Sequence, residues 1–183
     1  MSIRSIRIYG DPVLRERARP VTEFDDALRE LVADLYETMV AYNGVGLAAP
    51  QVGIPHRLLV IDLPLDDETR ARFALINPEL SERSGSEGGE EGCLSIPGVY
   101  DEVKRATRMR VKGLDEHGRP LDFEASGYLA RAIQHEVDHL DGVLFIDRLS
   151  PLRRQFLRGK LEGLKRGEMP DGYPQHERGE GLG

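Results

Sequence analysis

The stretch His135-Glu136-Val137-Asp138-His139 constrains this chain more than any other. It is an H-E-x-x-H pattern inside a segment whose spacing predicts a helix from Ser126, as N-cap, to Leu140, before Gly142. A helix turns about 100° per residue, so the two histidines stand about 40° apart and one turn along, and both imidazoles reach one metal ion. Glu136 lies about 60° beyond His139, beside such an ion rather than aimed at it. Leu129, Ile133, Val137 and Leu140 occupy the far side of Glu136 from the histidines. The carboxyl therefore sits at the edge of an apolar face, where partial burial raises its pKa toward the range of a general base.

Two histidines leave a catalytic metal one protein ligand short, with a further position open for water. Phe145 stands where the H-E-x-x-H-x-x-G-x-x-H metalloproteases carry a third histidine, which excludes that reading. Glu162 and Glu168 are downstream carboxylates, but both fall in or after a basic C-terminal helix. Cys93, the only cysteine, remains as a soft donor in Glu91-Gly92-Cys93-Leu94-Ser95, where glycine allows a close backbone approach. A lone cysteine is also commonly a small core residue, or a nucleophile paired with histidine. The vacant third position favours the ligand. A thiolate, two imidazoles and a water make a tetrahedral site for one divalent metal, suited to Fe(II), Zn, Co or Ni rather than Mg or Ca.

The rest of the chain reads as an α+β domain. Leu28, Leu31, Leu35 and Met39 define a helix between Asp25 and Asn43, stopped by Gly44 and Gly46; DPVLRERA at 11–18 suits a short helix. Strands are expected at 57–62, 74–77, 99–106, 109–114 and 121–125, with a hairpin turn at Glu116-His117-Gly118. The polar, Gly-rich 81–92 reads as an exposed loop. Ser150 and Pro151 open a basic helix over 150–166 with an apolar Leu157, Leu161, Leu164 stripe. The expected division is one catalytic domain over 1–166 and a disordered tail over 167–183, which has little to bury. A formal charge of −7 disfavours a DNA-binding role, and neither a signal peptide nor a membrane-length apolar run is visible. A single cysteine precludes an intrachain disulfide. These features are expected of a soluble protein in a reducing compartment. His56, His117 and His176 read as ordinary surface histidines.

Gly44-Val45-Gly46-Leu47-Ala48-Ala49-Pro50-Gln51 is a third segment of interest. Its small residues allow close approach to a ligand, and Gln51 offers an amide donor to a developing oxyanion. Alone, such a cluster more often means tight packing. Together with the other two segments it resembles the peptide deformylases. GVGLAAPQ is similar to that family's GxGxAAxQ, EGCLS to its second motif, and QHEVDHLDG to its QHExDHLxG. IYGDPVLRERARPV and FIDRLSP extend the resemblance over about residues 3–155.

The resemblance implies an α+β metalloenzyme, with mixed or antiparallel sheets around a central helix that carries the H-E-x-x-H motif. Cys93, His135 and His139 would hold the metal, natively Fe(II) in this family. Glu136 would be general base and acid, Gln51 and the Leu94 backbone N–H the oxyanion donors, and Val45 and Gly46 part of the substrate site. Tyr128, Arg131 and Ala132 are placed near the methionine pocket, where Arg131 would bias the following residue. A metal-bound water would attack the formyl carbonyl of N-formylmethionyl nascent peptides and release formate, in a bacterial cytoplasm. The basic helix suggests ribosome docking, against the simpler reading of a solvated surface. Two further readings stand beside this one: a metallopeptidase acting on unformylated or internal bonds, and a non-catalytic metal-binding protein.

Overall fold

The computed structural model describes residues 2–174. It contains three α-helices, α1 (Asp26–Ala41), α2 (Gly127–Leu140) and α3 (Pro151–Lys165). Seven strands accompany them: β1 (Gly46–Ala48), β2 (Leu58–Pro64), β3 (Arg70–Ser84), β4 (Glu87–Cys93), β5 (Ile96–Arg105), β6 (Arg108–Leu114) and β7 (Pro120–Ser126). A five-stranded sheet runs in the order β1-β2-β3-β6-β7, and β4 pairs with β5 in a separate hairpin. All of these ladders are antiparallel, giving the α+β class expected; the isolated Arg19–His56 bridge is parallel.

The period of two in β2 explains where α2 sits. Leu59, Ile61 and Leu63 face a core shared with Ile133, Val137 and Leu140 of α2 and with Met109 and Val111 of β6. Leu58 and Val60 face the opposite core, built from Leu28, Leu31, Val32, Leu35 and Met39 of α1. A strand buried on both faces reads as an unbroken apolar run, as Leu58–Leu63 does. Fully buried side chains of this size contribute about 1.5–3 kcal/mol each. Ile96, Val99 and Val103 of β5 form a third core with Leu144, Phe145 and Ile146 and with Leu161 and Leu164 of α3.

Several elements depart from expectation. The helix expected at 11–18 is a single 3-10 turn, Pro12–Arg15, with Asp11 capping Val13. It goes no further because the Ala18 and Arg19 amides donate to the Leu140 and Pro55 carbonyls. α1 is followed by Asn43 in the left-handed region, so asparagine takes the turn assigned to glycine. Ser126 precedes α2, but its side chain makes no capping bond. β3 continues past Pro78 by way of a register shift between Ile76 and Glu79, which removes the need for a proline N–H in the ladder. The 81–92 loop is instead the end of β3 and most of β4. Beyond α3, residues 167–174 are folded back with Tyr173 packed against the α1 core. The expectation for 175–183 lies outside the described residues.

Candidate metal centre

Four elements deliver the site. The last residue of β4 is Cys93, α2 carries His135, Glu136 and His139, β1 carries Gly46, and a 3-10 turn after β1 (Ala49–Val52) carries Gln51. Cys93 Sγ lies 3.3 Å from His139 Nε2. One ligand atom from each of Cys93, His135 and His139 falls within 4.8 Å of the others. Metal bonds of about 2.0–2.3 Å put tetrahedral donors about 3.3–3.6 Å apart, so little movement separates this arrangement from a ligand shell.

The environment favours a cation. His135 Nδ1 contacts Glu91 Oε1 at 2.9 Å. Burial alone would raise the pKa of Glu91, but hydrogen bonds from Arg105 and His135 prevail and hold it at about 2. An ionised Glu91 can only accept, so His135 Nδ1 donates to it, and a metal bound at Nε2 would take the place of the second ring proton. Burial also opposes charging of both rings. In His135 the Cys93 sulfur and Glu91 overcome it and raise the pKa well above ordinary. In His139 burial and the neighbouring His135 charge keep the ring neutral, the form that ligates. The pocket thus attracts one positive charge between Cys93 and His135. Two buried atoms of the site, Glu136 Oε2 and His139 Nδ1, have no hydrogen-bond partner among the described residues. An unpartnered carboxylate oxygen here suits a water molecule carried by the ion. The donor set fits a soft-ligand divalent metal.

Glu136 is buried, which lifts its pKa to about 7 against the opposing charge of His135. A cation beside it would lower that value again. Its side chain lies over Gly46, where an added Cβ would come within 2.9 Å of Glu136 Cγ. Only glycine leaves room for the carboxylate. Gln51 Oε1 accepts from the Ala48 amide at 3.0 Å. That bond turns the Gln51 NH2 toward Ser95 Oγ, at 3.1 Å, and Cys93 Sγ, at 3.6 Å. The amide therefore presents donors to the site.

These residues open on a cavity of about 510 Å³ that Val45, Leu94, Tyr128, Arg131 and Ala132 also line. The residues assigned to the site from the sequence thus line this cavity or belong to the donor set, whereas Glu162 and Glu168 do neither, and Arg131 has a different setting from the one expected. Its guanidinium donates to Glu91 Oε2 at 2.7 Å and to the Val103 and Glu87 carbonyls at 2.8 Å each. It fastens the β4–β5 hairpin to α2, and its charge is neutralised there.

Sequence reasoning missed the ionic layer behind the ligands. Arg105 bridges Glu91 and Asp138, and Arg148 also binds Asp138. It also missed Phe145, whose ring stacks on His135 with centroids 6.1 Å apart. A signal was present: Glu87, Gly89, Glu91 and Cys93 alternate along one face of β4, the face that Arg131 grips.

Comparison with known proteins bears on this geometry. The family model described as polypeptide deformylase matches residues 3–155. A peptide deformylase of Alkalilimnicola ehrlichii is 51% identical over 166 residues, covering 91% of this chain and 93% of the relative. The crystal structure of peptide deformylase from Thermus thermophilus is 47% identical, with a TM-score of 0.83 over 91% of this chain and 99% of that one. That of Ehrlichia chaffeensis in complex with actinonin is 38% identical, with a TM-score of 0.85 over 93% and 100%.

Proposed function

The chain belongs to the polypeptide deformylase family, a family of enzymes, and from that premise we propose that it removes the formyl group from N-formylmethionine at the start of nascent peptides, releasing formate. The observation that supports this most is a buried, unpartnered carboxylate, Glu136, next to a Cys93–His135–His139 donor set. Those three residues would hold one divalent metal, with Fe(II) the native ion proposed and Zn, Ni or Co compatible with the same donors. The metal would supply Lewis-acid polarisation of the formyl carbonyl and acidify a water to a pKa of about 7. Glu136 takes the water's proton and returns it to the leaving amine. Gln51 Nε2 and the Leu94 N–H receive the negative charge developing on the formyl oxygen. Gly46, with Val45, gives the substrate backbone close access to Glu136. Tyr128 and Ala132 border the cavity that takes the methionine side chain.

The test is formate release from formyl-Met-Ala-Ser by Ni- or Co-loaded protein. Formate with the peptide bonds intact supports the reading; free amino acids without formate would show a peptidase instead.

We place the enzyme in a bacterial cytoplasm, where formylated chains begin. Curated relatives such as that of Alkalilimnicola ehrlichii are bacterial, and no helix among the described residues is long and apolar enough to cross a membrane. α3 exposes Arg154 and Arg158 on one side and Leu152 and Phe156 on the other, and its basic side is proposed to dock on ribosomal RNA. Reversing both charges (Arg154→Glu with Arg158→Glu) should reduce ribosome co-sedimentation; unchanged pelleting contradicts the docking.

A further inference from the structure

Past α3 the described residues turn back onto the molecule. Residues Pro170–Pro174 return to line the cavity that holds Cys93, His135 and Glu136. They lie outside residues 3–155, which the family model matches. Tyr173 is the anchor of this strap. Its ring lies 5.7 Å from that of Tyr42, and its hydroxyl donates to the Leu94 carbonyl at 3.3 Å. Pro170 covers Gly98: an added Cβ there would stand 3.3 Å from the proline ring. Met169 packs into the core that includes Phe145 and borders Cys93. Tyr42 directly follows α1 and Gly98 belongs to β5, so the strap bridges two walls of the cleft. The strap's hydrogen bond and ring contact are with Leu94 and Tyr42 rather than with His135, Glu136 or His139.

A nascent chain continues beyond its methionine and must leave this cleft along a wall. Four of the six tyrosines in the chain, Tyr42, Tyr100, Tyr128 and Tyr173, line the cavity. Pro170 and Pro174 lack N–H groups and the Tyr173 amide donates to the Pro170 carbonyl, so the strap shows the cleft ring surface and carbonyl oxygen beside the Asp171 side chain and the Gly172 backbone. We propose that Pro170–Pro174 forms the wall along which the substrate residues after formylmethionine lie, with Tyr173 as a specificity-determining residue. The assignment rests on the deformylase reading above. Burial raises the Tyr173 hydroxyl pKa, so it remains a donor to Leu94 at any working pH.

The test compares the metal-loaded full chain with a chain ending at Met169 and with Tyr173→Ala, on formyl-Met-Ala and formyl-Met-Ala-Ser-Ala-Ala. Melting curves establish that each variant is folded. In the full chain the longer peptide is expected to have the higher kcat/KM. Both variants should lose about three- to tenfold of that gain, the size of one aromatic contact, through KM with kcat held. Equal losses on both peptides, a loss confined to kcat, or an undiminished gain would each overturn the assignment. If the full chain releases no formate from either peptide, the deformylase reading itself fails and takes the strap's role with it. A full chain that is active but indifferent to the strap removes only the strap's role.

Discussion

At the scale of single residues, the reacting groups are set by what surrounds them. Glu136 owes its raised pKa to burial, and that burial depends on Gly46 having no side chain. Gln51 owes its orientation to one backbone amide, that of Ala48. Replacing Glu136 with Gln keeps the shape and removes the base. Formate release should fall about 100- to 10,000-fold while metal content, measured by atomic absorption, stays at the wild-type level. Retention of more than a tenth of the activity would assign the proton transfer to another group. Both histidines and Glu136 were legible because helical periodicity alone fixes their relative directions. The direction of the Gln51 amide was not, because it depends on a contact within a 3-10 turn that no periodic pattern encodes.

At the scale of elements, the misread segment is β4. Its polar, Gly-rich sequence looks like a loop because its inner face is satisfied by ions, not by apolar packing. Glu91 binds Arg105, Arg131 and His135 at once. A hydropathy pattern cannot display that, and the partners come from β5 and α2, up to 44 residues away. Glu91→Ala leaves the buried Arg105 with Asp138 as its one remaining carboxylate and the half-buried Arg131 with carbonyl partners alone. It should destabilise the fold by about 3–5 kcal/mol in urea unfolding, and weaken metal binding about 10- to 100-fold through His135. Unchanged metal affinity would show that Glu91 does not orient the ligand. β2 and β3 offer a cleaner test of charge, remote from the metal. Asp62 is buried, pairs across the ladder with Arg72 at 2.7 Å, and also binds Arg70. Burial raises its pKa, but the two arginines more than offset this and leave it below the ordinary 3.8. The folded chain therefore holds the ionised form more tightly than the unfolded chain does. That contribution is complete above the unfolded value and fades as pH falls through the lowered one. Asp62→Asn should cost about 1–2 kcal/mol at pH 7, and the difference should shrink between about pH 5 and pH 2.5. An equal difference at both ends would mean that packing, not charge, is the cause.

At the scale of the molecule, α2 stands between the two antiparallel sheets, presenting its apolar stripe to the core of the five-stranded sheet and its histidines to Cys93 at the end of the β4–β5 hairpin. Fold class and the main helices were readable from periodicity. The pairing of β4 with β5, and the return of the chain at Tyr173, were not, since each depends on partners distant in sequence. The account as a whole depends on a metal held by one thiolate and two imidazoles. The most direct measurement is the absorption spectrum of the Co(II)-substituted protein, recorded with metal stoichiometry for the wild type and for Cys93→Ser. The account predicts one cobalt per chain, with an intense sulfur-to-cobalt charge-transfer band and the strong visible bands of tetrahedral Co(II), and loss of the charge-transfer band in the variant. Cobalt bound equally by both proteins, with no sulfur band in either, would contradict it and move the metal, and the chemistry built on it, away from Cys93.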